Sequence, residues 1–199
     1  MARSLYAASH LTPQAIDAVC EEAERAALIE CARRTKKKVY LKNGSGPDTS
    51  EILSQLTARE PDSELLFRQV LPDTDLNAGA VAFDQWQTAA LVAGTDYLFI
   101  NQQLRTDQVC VLFGVATLDA NPCISRVRCL QGSVALAAWD ATPLWAAQDT
   151  MGYADEFAMW SVQETVAVWL MPFITKAGGE RFIVLGGIAE PKGSGPVTK

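Results

Sequence analysis

Residues 164–189 read ETVAVWLMPFITKAGGERFIVLGGIA, two apolar runs on either side of an Ala177-Gly178-Gly179 turn. In the first run Val166, Val168 and Leu170 fall on one side of an extended chain, and Ala167, Trp169 and Met171 on the other. Phe182, Val184 and Gly186 alternate in the same way with Ile183, Leu185 and Gly187. A period of two is the mark of a strand, and the glycine pair between the runs supplies a turn. Both faces are apolar. That is expected where one face meets the core and the other a second layer or a neighbouring subunit.

The same texture extends back to Glu64. LLFRQVL (65–71), AVAFDQWQTAALVA (80–93), DYLFINQQL (96–104), QVCVLFGVATL (108–118), CISRVRCL (123–130), SVALAAW (133–139) and EFAMWSV (156–162) are short runs broken by turn residues. No helix-length pattern separates them. Such spacing predicts a mainly β fold, an antiparallel β-sandwich of about eight strands over residues 64–190, jelly-roll-like or immunoglobulin-like in strand order.

The N-terminal part differs. Thr12-Pro13 is a hydroxyl N-cap followed by proline at the first helical position. From there Ile16, Val19, Cys20, Ala23, Ala26, Ala27 and Cys31 recur at helical spacing, which predicts a long amphipathic helix over residues 13–34. Acids lie early and bases late, complementing the helix dipole. Residues 1–43 thus read as a helical arm with a basic end, and 44–63 as a linker with a short helix. The sandwich occupies 64–190, and 191–199 form a flexible polar tail. Charge follows the same division. The arm carries eight Lys/Arg and five Asp/Glu, residues 44–190 seven and 18, and the tail two lysines, within a formal net charge of -6.

Composition excludes several classes. The chain of 199 residues is 49% hydrophobic, too apolar for a disordered protein. A single histidine, His10, rules out a histidine-rich metal site such as a cupin enzyme needs, and as the one imidazole, near the N-terminus, argues against Ser-His or Cys-His catalysis. Five cysteines with no CxxC spacing read as free thiols packed as small hydrophobes. No secretory signal follows Arg3, and no apolar run reaches the ~20 residues of a spanning helix. The chain is expected to be made in a reducing cytosol and to bind no membrane.

The candidate sites are few. Arg33, Arg34, Lys36, Lys37 and Lys38 form a basic run that either contacts nucleic acid or, as we favour, completes the helix and docks on the acidic body. PDTDLN (72–77) offers Asp73, Asp75 and Asn77 to Ca²⁺ but lacks the continuation of an EF-hand, and reads as a turn. Asp140, Asp149, Asp155, Glu156 and Glu164 are the acids from which a hydrolytic pair would be drawn. Trp86, Trp160 and Trp169 lie in alternating runs and read as core. Trp139 and Trp145 flank Asp140-Ala141-Thr142-Pro143 and read as an exposed contact surface. No phosphate-binding loop is present, since Gly44-Ser45-Gly46 lacks the Lys-Ser/Thr of a P-loop.

A helical arm, an even series of strands, the final strand RFIVLGGIAEP and a polar tail resemble jelly-roll virion proteins of phages and viruses, the capsid decoration and coat proteins. The resemblance implies a non-enzymatic shell component without cofactor or metal, with a sandwich that forms homo-oligomers, trimers favoured. It further implies an arm that docks on neighbours or on other virion proteins. Ile16, Val19, Ala23, the basic run, Trp139 and Trp145 are the expected contact residues. A modest arm charge favours protein over genome as the partner. The alternative is a carbohydrate-binding sandwich using Trp139 and Trp145, with or without Ca²⁺.

Overall fold

The computed structural model describes residues 2–39, 63–70, 75–76, 83–84 and 86–194. Of the linker with a short helix expected over 44–63, residues 44–62 lie outside the described residues, as do the last five residues of the tail, Asp73 and Asn77.

Two five-stranded sheets pack face to face. The first has the order β1 (Arg3–Ser4), β9 (Val134–Asp140), β8 (Ile124–Gln131), β11 (Thr165–Pro172), β6 (Tyr97–Gln103). The second runs β2 (Tyr6–Ala7), β10 (Met151–Trp160), β7 (Val109–Thr117), β12 (Phe182–Pro191), β3 (Leu65–Gln69). A two-stranded ribbon, β4 (Phe83–Asp84) and β5 (Gln87–Thr88), stands apart. Within the two main sheets every pairing is antiparallel except β1 with β9. The long strands pair as a nested set: β3 with β12, β6 with β11, β7 with β10, and β8 with β9.

The alternation expected in 164–189 is present. Val166, Val168 and Leu170 of β11 are buried between the sheets, while Ala167, Trp169 and Met171 are half-buried on the outer face. Three expectations need correction. The run 80–93 is not one strand, because Trp86 takes a positive φ of 67° in the turn between β4 and β5. β10 begins at Met151, five residues before the expected start. Residues after Asp140 form a short helix, α2 (Thr142–Ala146), that buries Leu144.

The principal helix, α1 (Pro13–Thr35), starts as expected. Thr12 Oγ1 accepts a hydrogen bond from the Ala15 N–H, and Pro13 occupies the first turn. Lys36 closes the helix in the left-handed region. The apolar stripe does not await a neighbour. Ala23, Ala27, Leu28 and Cys31 pack with Val109, Val111 and Phe113 of β7, Leu65 of β3 and Ala189 of β12. The helix is therefore the second layer over one sheet, and it explains why β7 is buried on both faces. Small side chains on the stripe let helix and sheet approach closely.

Preceding α1, Arg3–Ser4 joins the edge of one sheet and Tyr6–Ala7 the edge of the other, with Leu5 buried between them. The first residues thus stitch the two sheets together along one side.

Candidate functional site

Ala23 is fully buried in the helix–sheet cluster, with Val19 packed against it and Ile16 half-buried. Ala23 is corrected from a partner contact to a core residue, since apolar surface this small is fully covered by β7 and its neighbours. The basic run is tied to the chain's own acids. Glu30 accepts from Arg33 at 2.7 Å and from Arg34 at 2.8 Å, and Lys37 lies 3.7 Å from Glu64. Glu64 also accepts the Lys38 N–H at 2.9 Å. Lys36 and Lys38 side chains remain exposed. Glu30 in addition accepts from Ser161 Oγ at 2.8 Å, fastening the helix to the turn after β10.

Trp139 is corrected too. It is 1% exposed and belongs to the sandwich core, because β9 continues to Asp140 and carries Trp139 inward in phase with Ala137. Trp145 packs half-buried against the same core, its Nε1–H donating to the Ile124 carbonyl. A pair of exposed indoles for stacking on sugar is therefore absent from this region. Trp160 is core as expected, while Trp86 is half-buried against the core and Trp169 lies on the outer face of the first sheet.

The acids considered for hydrolysis have structural partners. Asp155 and Glu156 pair with Arg3, Asp149 accepts the Ser9 N–H, Asp140 the Thr142 N–H, and Glu164 the Ser161 N–H. Asp75 is held by both Nη atoms of Arg68, at 2.5 and 2.7 Å. Among the described residues no group of three or more His, Cys, Asp or Glu is arranged to hold a metal ion. All five cysteines are free thiols, and burial pushes Cys31 up to about 11.

What stands out is apolar surface at one end of the sandwich. The loop after β5 lies against the loop after β11. Gly94 N–H donates to the Pro172 carbonyl at 2.8 Å, Ala93 N–H to Thr175 Oγ1 at 3.1 Å, and Leu91 and Lys176 bridge. This brings Val92 beside Phe173 and Ile174, which are 53%, 45% and 44% exposed. Leu118, at the same end, is 54% exposed after β7, and its N–H donates to the Arg181 carbonyl. Asp119, fixed by Lys176 at 2.8 Å and Arg181 at 3.0 Å, anchors these loops to one another. Beneath them lies Glu180, fully buried, accepting from Thr117 Oγ1 at 2.9 Å and the Cys123 N–H at 2.6 Å. Large apolar side chains are thus presented on loops tied to one another by backbone hydrogen bonds and the Asp119 ion pairs. Sequence reading attached Phe173 and Ile174 to the preceding strand and so missed them as a surface.

No protein-family model, curated protein or solved structure matches this chain. No helix among the described residues is long and apolar enough to cross a membrane.

Proposed function

We propose that this chain is a non-enzymatic structural protein of a virion, a capsid decoration, minor capsid or coat protein, whose sandwich is a jelly roll. The nested pairing of β3 with β12, β6 with β11, β7 with β10 and β8 with β9 supports the jelly roll, since a folded-over hairpin of eight strands gives that fold. The observation that carries the assembly reading is the exposed group Val92, Leu118, Phe173 and Ile174 on mutually hydrogen-bonded loops at one end of the sandwich. Soluble monomers rarely display such clusters, whereas subunits of a symmetric shell bury them against their neighbours.

The contact is with protein. Arg33, Arg34 and Lys37 already face Glu30 and Glu64, which lowers their attraction for phosphate. The helix takes part as a layer of the body, and the loop end replaces its apolar stripe as the assembly surface. Copies are made in a host cytoplasm and join as homo-oligomers, trimers favoured, with other virion proteins as further partners. Electron micrographs of the purified protein test the reading. Rings, trimers or particles support it, and a field of dispersed single chains at tens of micromolar overturns it.

A further inference from the structure

One carboxylate lies where the loops of the exposed apolar group meet. Asp119 directly follows Leu118, between β7 and β8. Its Oδ2 accepts from Lys176 Nζ at 2.8 Å and from the Arg181 N–H at 3.1 Å, and its Oδ1 accepts from Arg181 Nε at 3.0 Å. Arg181 Nη2 donates in turn to the Leu118 carbonyl at 3.0 Å. Lys176 belongs to the loop of Phe173 and Ile174, and its backbone exchanges two hydrogen bonds with Leu91, the residue before Val92. Asp119 therefore reaches the loops of all four apolar side chains. Glu180 is a poor substitute as counter-charge. It lies 4.0 Å from Lys176, fully buried, with its oxygens already accepting from Thr117 Oγ1 and the Cys123 N–H. Without the Asp119 charge, two cations on neighbouring loop positions lose the group that holds them together.

We propose that Asp119 is an acid-sensitive clasp of the assembly surface. Ionised, it holds Val92, Leu118, Phe173 and Ile174 in one presentation; protonated, it lets their loops part, so that subunits separate while the sandwich stays folded. The clasp rests on the assembly reading and adds its control. Lys176, Arg181, Glu180 and the Cys123 thiol are the titratable groups around Asp119, and of these Glu180 alone is a carboxyl. Burial raises the Asp119 carboxyl, but hydrogen bonds from Lys176 and Arg181 outweigh it and hold it below its ordinary value of 3.8. A carboxylate depressed in this way contributes in full above 3.8, and its contribution is lost as the pH falls further. Loops that are no longer tied must be ordered again on association, which weakens it.

Sedimentation velocity of the full chain from pH 7 to pH 2, with circular dichroism at each step, tests the clasp. The native oligomer should dissociate below pH 3.8 with its strand signal intact. Asp119→Asn should associate roughly tenfold more weakly at pH 7 and change little on acidification. Hydrogen exchange gives a second readout at pH 7. In Asp119→Asn the Gly94, Leu118 and Lys176 amides should exchange faster, and the Val111 and Val168 amides at the native rate. A native oligomer that separates only as it unfolds would overturn the clasp and leave the assembly reading standing. So would Asp119→Asn that associates as tightly as the native chain with its loop amides equally protected. A native protein that is a single chain at every pH would overturn the assembly reading, and the clasp with it.

Discussion

Glu190 of β12 is fully buried, and its carboxylate accepts a hydrogen bond from Arg68 Nε of β3 at 2.7 Å. The same carboxylate takes Arg105 at 2.9 Å and Gln108 at 2.9 Å, while Arg68 also holds buried Asp75. A guanidinium between two buried carboxylates is hard to replace. Arg68→Met should destabilise the chain by about 3 kcal/mol, since it leaves carboxylates buried beside an apolar group. Urea denaturation of the two proteins at neutral pH measures the difference.

Fastening of α1 to the sandwich is predicted to be acid-labile. Glu30 is held at about 2, first by the Arg33 hydrogen bonds, against burial, with Arg34 and Ser161 adding to the effect. A carboxylate depressed on folding contributes stability above its ordinary value of 4.5, and that contribution fades as pH falls toward 2. Glu30→Gln should therefore destabilise the chain at pH 7. The gap to the native sequence should narrow between pH 4.5 and 2. Urea midpoints across this range provide the check.

Thiol reactivity should divide the cysteines. Burial pushes all five thiols up, with Asp17 and Glu24 adding to the effect at Cys20, but Cys31, Cys110, Cys123 and Cys129 are buried whereas Cys20 is half-buried on α1. A thiolate-specific reagent at pH 8 should label Cys20 in the folded chain and reach the other four only on addition of denaturant. Mass spectrometry of labelled peptides distinguishes them.

Gly179 sits at φ 67° in the turn before β12, and an added Cβ would strike the Thr88 and Ala89 carbonyls. Gly179→Ala should cost about 2 kcal/mol or more, read as a lowered thermal midpoint, because both the backbone angle and the space forbid the methyl group. Gly178→Ala, with open space around it, serves as the control.

The sandwich was legible where alternation was clean. From Tyr97 to Ala189 the strands lie close to the apolar runs, because one face of each packs inward. The start of β10 is hard to read because Gly152 and Asp155 interrupt its apolar pattern. The two-residue strands β1 and β2 carry no periodicity at all. Apolarity on both faces of 181–189 calls for a second layer or a neighbouring subunit, but local sequence does not say that α1 of the same chain covers Ala189 together with Val109, Val111 and Phe113. At Trp139 one residue of strand length, to Asp140, separates a core side chain from an apparent loop residue. Partners such as Glu190 with Arg68, separated by more than a hundred residues, follow from topology rather than from any local motif.

Light scattering on size-exclusion fractions of the native chain and of Phe173→Ser/Ile174→Ser tests the assembly reading most directly. The native chain should elute at micromolar concentration as an oligomer, with three copies favoured. The double variant, folded by circular dichroism, should run as a single chain. A native protein with the mass of one chain throughout, or a double variant that oligomerises as well as the native one, would contradict it.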